Sequence, residues 1–444
     1  MSQFLVQLWY QTQLLLADLR TANDLQHLAW RFFPFVILIE LPVQAMIVIG
    51  VVRHAFLRAA RRRLAPPLSH VGCIVTCYGE GVGVEAAIRS LFAQRYDGMI
   101  EIVAVVDGAL RNGETLACAQ ALIPEAKRWP HRSLRVVPKW QRGGRVSSLN
   151  AGLALVSGEI VFTLDADTSF DNDMIVTGVR AFGQPGTVAV AGNLRARNAA
   201  ANPLTRMQAI EYALSISLAK TGLARFNVVN NVSGAFGIFR REFLADIGGF
   251  NSGTAEDLDL TLRIKQYFAR QPGMRIQFES AAVGHTDVPA TLGAFLKQRL
   301  AWDGDLFHLY LRVHRMAFSP RLVGWPNFIA LVWQGLLWQL VLPAVLFAYT
   351  MLGLVFQPGA VAAVMPLVYG YYLAVTVGTY ILYLFAISER PREDLQFLPW
   401  LALYPIYGFF ARLWSFVAIL RNAFLSSHLE SPMAPYWVTR MPRW

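Results

Sequence analysis

The sequence predicts an α/β domain of parallel β-α-β units set between membrane segments. Three observations predict it. Apolar residues make up 55% of the 444 residues and charged ones 16%, more apolar than an ordinary soluble enzyme. The excess is uneven: 32–52 and 322–421 carry few charges, whereas 68–288 is mixed. Within 68–288, short apolar runs alternate with helical patterns, as in a sheet covered on both faces.

The elements follow in order. Residues 1–30 set Phe4, Leu5, Leu8, Leu14, Leu15 and Leu16 among polar groups, suiting an interfacial helix or a disordered lead. Residues 31–53 give one membrane thickness of helix, in which Glu40 should face protein or water rather than lipid. Arg53, Arg58, Arg61, Arg62 and Arg63 follow at once, and the positive-inside rule then puts residue 53 onward in the cytoplasm. Membrane orientation thus accounts for the net charge of +11, and no aromatic-basic interleaving suggests nucleic acid. The three cysteines, Cys73, Cys77 and Cys118, form neither a disulfide framework nor a metal-ligand spacing.

Strands are expected at 71–77, 100–106, 134–137 and 160–164, with a helix at 84–93. Asp107 and Asp165 then stand beyond strand carboxyl ends, where such sheets bind ligands. Residues 289–316 read as an amphipathic interface helix and 322–421 as a transmembrane region. In that region 324–356 and 360–387 are long enough to span. Residues 397–421 either span or, given Pro399, Pro405 and Arg412, form a broken interfacial helix. Residues 422–444 make a cytoplasmic tail.

Two acidic motifs carry chemistry. Asp165 and Asp167, one residue apart after an apolar strand, can address one Mg²⁺ or Mn²⁺, which neutralises a diphosphate. Glu256 and Asp257 open a helical pattern whose dipole favours carboxylates there. An ionised, outward-pointing Asp257 is also a suitable general base for a sugar hydroxyl. His285 is either a further metal ligand or a polar surface residue.

With these motifs the chain resembles the family 2 inverting glycosyltransferases, in the membrane-integrated branch of cellulose, chitin, poly-N-acetylglucosamine and hyaluronan synthases. The resemblance runs from about residue 70 to the carboxyl end. It rests on Val75-Thr76-Cys77-Tyr78-Gly79-Glu80, Val105-Val106-Asp107-Gly108, Gly143-Gly144-Arg145 and the Asp165/Asp167 pair. It continues through Val232-Ser233-Gly234-Ala235-Phe236-Gly237, Glu256-Asp257, Gln298-Arg299-Leu300-Ala301-Trp302 and Trp437-Val438-Thr439-Arg440. The resemblance implies a GT-A, Rossmann-like fold over 68–288, an enzyme of the hexosyltransferase class and a nucleotide-sugar donor, with UDP as the nucleotide. It implies that Tyr78, Glu80, Asp107, Arg145, Asp165 and Arg440 hold the donor. Asp167 and Asp165, with His285 as a third candidate, would hold the Mg²⁺ or Mn²⁺. Asp257, beside Glu256, would deprotonate the acceptor, which Gly234, Gln298, Arg299 and Trp302 would bind. The tail would close over the donor as a gating loop. Two departures stand out: Arg145 replaces the family's lysine, and Ala301 stands where the closing motif has arginine.

The expected activity is polymerisation and export of a β-linked exopolysaccharide at the bacterial inner membrane. Its partners would be the bilayer, a carbohydrate or lipid acceptor, and accessory export subunits. The alternative is transfer of one sugar to a polyprenyl phosphate or glycolipid. A non-catalytic partner subunit is a third reading, and the intact Asp165, Asp167 and Asp257 argue against it.

Overall fold

The computed structural model describes residues 6–7, 9–10, 13–14, 35–62, 69–251, 254–425, 434–435 and 438. Most of the 1–30 segment, and Trp437 and Arg440 of the tail, lie outside the described residues.

Helix α1 (Leu41–Arg62) continues a π-helical turn at Val36–Glu40. Glu40 is buried there and accepts the Tyr372 hydroxyl at 3.0 Å, so it faces protein as expected. The chain then winds β1 (Val71–Cys77), α2 (Val84–Phe92), β2 (Ile100–Asp107), α3 (Gly113–Ala121), β3 (Arg132–Lys139), α4 (Arg145–Leu155) and β4 (Ile160–Asp165). These are the β-α-β units expected, and β1 is buried at every position, as parallel strands covered on both faces must be.

In the second half only the helix opening at Glu256 was legible. That half comprises β5 (Ser169–Phe170), α5 (Met174–Ala181), β6 (Thr187–Ala196), α6 (Pro203–Glu211), α7 (Ala219–Ala224), β7 (Phe236–Arg240), α8 (Arg241–Asp246), α9 (Glu256–Lys265) and β8 (Arg275–Thr286). All eight strands form one mixed sheet in the order β3-β2-β1-β4-β7-β6-β8-β5. β1 pairs in parallel with both β2 and β4, so the strand order reverses beside it. Apolar clusters cover both faces, with Ile102, Phe162 and Ile238 on one and Ile74, Val103 and Ile276 on the other.

Next come α10 (Leu292–His308), α11 (Pro320–Ala330), α12 (Leu342–Phe356), α13 (Pro358–Ala386) and α14 (Tyr404–Leu425). Thr291 caps α10 by accepting the Ala294 amide at 3.3 Å. Proline-containing 397–421 is broken: a 3₁₀ stretch at Leu395–Ala402 precedes α14. Among the described residues, four helical runs are long and apolar enough to cross a membrane: Val36–Leu57, Pro320–Phe356, Pro358–Ala386 and Tyr404–Leu425. The loop after α13 docks on the sheet domain. Its Asp394 pairs with Arg195 and accepts the Tyr383 hydroxyl at 2.7 Å, and its Arg390 meets Asp171 at 2.7 Å.

Candidate active site

The carboxyl ends of β1, β2 and β4 meet where the strand order reverses, the usual ligand crevice of such sheets. Asp107 ends β2 and is buried. Its Oδ1 accepts Lys139 Nζ and the Gly143 amide, each at 2.8 Å, and its Oδ2 accepts the Gly144 amide at 2.8 Å. Gly144 takes the left-handed φ of 84° that the turn requires. Asp107 therefore folds the loop that launches α4. Lys139, at the end of β3, is a part of this arrangement that sequence reading missed.

Arg145 is the first residue of α4, and its buried guanidinium gathers the site. It pairs with Asp165, donates Nε to Glu256 Oε1 at 2.5 Å, and reaches Thr76 Oγ1 at 3.0 Å and the Gly234 carbonyl at 2.6 Å. Burial works against its charge, but the Asp165 and Glu256 carboxylates outweigh that and raise its pKa above the usual arginine value. Across from it stand Asp167 and Glu80. Burial first, then Asp165, pushes the Asp167 carboxyl up; Glu80 is raised by burial and by both aspartates. Glu80 also accepts the Tyr78 amide at 2.8 Å. The Tyr78 ring is 47% exposed, with the Arg142 guanidinium 4.1 Å above its centroid.

Glu256 and Asp257 open α9 behind Ala255, which sits at a left-handed φ of 43°. They diverge. Glu256, expected with Asp257 among the catalytic residues, is buried and paired with Arg145. Asp257 is half-buried. Its Oδ2 accepts Asn231 Nδ2 at 3.0 Å and the Gly234 amide at 3.2 Å, and its Oδ1 accepts the Leu258 amide at 2.7 Å. Gly234, expected to meet the acceptor, instead serves both sides: its amide holds Asp257 and its carbonyl holds Arg145. A Cβ there would lie 2.8 Å from Glu256 Oε1, so a larger residue would press on the carboxylate that holds Arg145.

Helix α10 borders the site. Trp302 is 42% exposed, with the Arg299 guanidinium 5.1 Å from its ring centroid. Arg299 pairs with Glu211 at 2.6 Å, and Tyr407 donates to the same carboxylate at 2.5 Å. Arg299 thus ties α10 to α6. Gln298 leaves Oε1 buried and without a partner among the described residues. Asp305, missed in the sequence, has its carboxyl pushed up to about 8 by burial, then by Asp257 and Glu256.

His285 is not brought to the aspartate pair. It meets Asp171 Oδ1 at 2.9 Å, beside Arg390, and among the described residues no group of three His, Cys, Asp or Glu is placed to hold a metal ion.

Residues 73–248 match the family model "Glycosyl transferase family 2". The chain is 28% identical over 290 residues to a poly-beta-1,6-N-acetyl-D-glucosamine synthase of Staphylococcus aureus, covering 64% of this chain and 67% of that protein. It is 28% identical over 244 residues to the synthase of the same name from Staphylococcus epidermidis, covering 54% and 56%. Among solved structures it is similar to a mannosyltransferase from Pyrobaculum calidifontis, described in complex with GDP-Man and Mn²⁺. That match has a TM-score of 0.52 at 19% identity and covers 86% of this chain and 99% of the other. The sheet order, the crevice chemistry and these matches agree: residues 73–248 are a family 2 glycosyltransferase domain of GT-A-like fold, and the chain is an enzyme related to polysaccharide synthases.

Proposed function

We propose that the chain polymerises a β-linked exopolysaccharide, with UDP-N-acetylglucosamine or UDP-glucose as donor and inversion at the anomeric carbon. The observation that carries this reading is the convergence on Arg145 of two motifs. Asp165 belongs to a pair suited to a diphosphate, and Glu256 adjoins a half-buried Asp257 held by two amides and an Asn231 side chain.

Tyr78 offers an aromatic face and Asp107 a shaped loop for the nucleotide. Asp257 takes the acceptor hydroxyl proton as that oxygen attacks the anomeric carbon, while the carbon–oxygen bond to the diphosphate breaks. A single base that deprotonates the attacking hydroxyl, with no covalent step, fits displacement with inversion. Asp165 and Asp167 are hard oxygen ligands on one strand end, and with diphosphate oxygens they fit a divalent cation. Bound there, Mg²⁺ or Mn²⁺ would neutralise charge on the departing nucleoside diphosphate. Trp302 presents its exposed face for a pyranose of the acceptor.

Ala301 favours a second reading, transfer of one sugar to a lipid acceptor in the bilayer. Incubating purified enzyme with labelled donor and sizing the product separates the two. A product retained above oligosaccharide size supports polymerisation. A single sugar extracted with lipid overturns it, and release of nucleoside diphosphate to water alone overturns both.

A further inference from the structure

Helix α7 buries a lysine beneath the proposed base. Lys220 is 4% exposed, and its Nζ donates to the Asn231 carbonyl at 3.0 Å, its only hydrogen bond among the described residues. The amide nitrogen of the same asparagine donates to Asp257 Oδ2 at 3.0 Å. A buried ammonium with one hydrogen bond is costly unless an anion faces it. Asp257 is the anion that does: burial brings Lys220 down to about 8, and Asp257 acts in the other direction. The lysine is therefore charged at neutral pH.

The other groups facing Asp257 supply no free cation. Glu256, on the same helix, is matched by Arg145, and Arg145 is shared with Asp165. Asp305 and Tyr310 face Asp257 from α10 and the turn after it, and burial keeps the Asp305 carboxyl protonated at neutral pH. Lys220, by contrast, faces Asp257 and, among the described residues, has no acidic side chain paired with it.

We propose that Lys220 is a positioning residue for sugar transfer, fixing the Asp257 carboxylate through Asn231 and placing a positive charge behind it. The proposal rests on Asp257 being the base. It differs from a structural role, in which Lys220 merely satisfies the Asn231 carbonyl. Lys220→Gln keeps a donor for that carbonyl and removes the charge; Lys220→Met removes both.

The test measures donor affinity by calorimetry and the pH dependence of kcat for the full-length enzyme in detergent. Lys220→Gln should leave donor Kd within about twofold and lower kcat at pH 7 about tenfold or more. The acid limb of its profile should move up by about one pH unit, the size of effect expected from losing a nearby charge. Lys220→Met should move it as far. An acid limb of Lys220→Gln that overlays the parent overturns the proposal, whatever the rate. So does failure of both variants to fold, because the lysine is then structural. Asp257→Asn, measured alongside, separates the two levels. If it still transfers sugar, the base assignment falls; if it is inactive while Lys220→Gln behaves as the parent, only the role of Lys220 falls.

Discussion

Arg145 Nε donates to Glu256 Oε1 at 2.5 Å across 111 residues of sequence, joining the loop after β3 to the start of α9. The same guanidinium holds Asp165, so one cation sets the spacing between the end of β4 and the start of α9. Glu256→Ala leaves that cation buried with half its charge partners. Breaking a buried pair costs about 3–5 kcal/mol, which thermal unfolding should read as a clear loss of Tm. Arg145→Lys keeps the charge but not the fork that reaches Thr76, Gly234, Asp165 and Glu256 together. It should fold, bind donor more weakly and turn over about tenfold or more slowly. Wild-type kcat in Arg145→Lys would show that a point charge suffices there.

The helix that carries Lys220 is keyed to the first apolar helix by glycines. A Cβ on Gly222 would lie 2.4 Å from the Ile47 carbonyl, and one on Gly50 2.2 Å from the Gly222 carbonyl. Both obstacles are backbone, so α1 and α7 must separate to admit a methyl group. Gly222→Ala should cost about 1–3 kcal/mol, as overpacking does. It should also lower kcat more than donor affinity, because α7 carries Lys220, which reaches Asp257 through Asn231. Unaltered Tm and kcat would mean that the two helices are not held at this distance.

Much of this site was readable because β1, β2 and β4 are central parallel strands with continuous apolar runs. Asp107 and Asp165 fall at their ends, so their placement followed from the pattern. β6 and β8 were missed because they carry Asn193, Arg195, Gln277 and Glu279, whose partners come from elsewhere in the fold. Asn193, for example, bonds the Ser280 carbonyl and the Ser217 hydroxyl. Asp257 was legible as a motif, whereas the opposite fate of its neighbour Glu256 depends on Arg145, distant in sequence. Lys220 was invisible for the same reason: a lysine in a short apolar helix reads as a solvated side chain until Asn231 and Asp257 are folded over it.

α14 is long enough to span a membrane and meets the preceding apolar run through Phe416 against Phe347 and Arg412 over Trp338, but its hydrogen bonds go to α10 and the turn after it. Trp414 Nε1 donates to the Leu296 carbonyl at 2.9 Å, Ser415 to Asp303 at 2.6 Å, and Arg312 to the Ala423 carbonyl at 3.4 Å. Beyond α10, His314 returns to Asp259 at 2.8 Å, so both ends of α10 touch the sheet domain. α14 should therefore lie at the interface and leave residue 425 on the side of the glycosyltransferase domain. With Cys118 replaced by serine, Leu425→Cys and the exposed Glu114→Cys should both react with an impermeant thiol reagent only after cells are opened. Labelling of Leu425→Cys alone in intact cells would make α14 a full crossing.

Ala301 is half-buried and lies one helical turn before Asp305, so the two share a face of α10. Asp305 feels Asp257 and Glu256, which directs that face toward the site rather than toward lipid. The consequence is a pH dependence. The Asp305 carboxyl titrates near 4 in an unfolded chain and at about 8 here, raised by burial and by its acidic neighbours. Between those values the folded state holds the extra proton, so stability should fall as pH rises from about 4 to about 8 and then level off. Ala301→Arg puts a cation at i−4 from Asp305, favours the ionised carboxylate, and should flatten that slope. It should also accumulate normally and bind donor at least as tightly as the parent. Chemical denaturation of both proteins across this pH range checks the sign. If the variant loses stability as steeply as the parent, Asp305 is not the group responsible. If it fails to accumulate, position 301 has no room for the arginine.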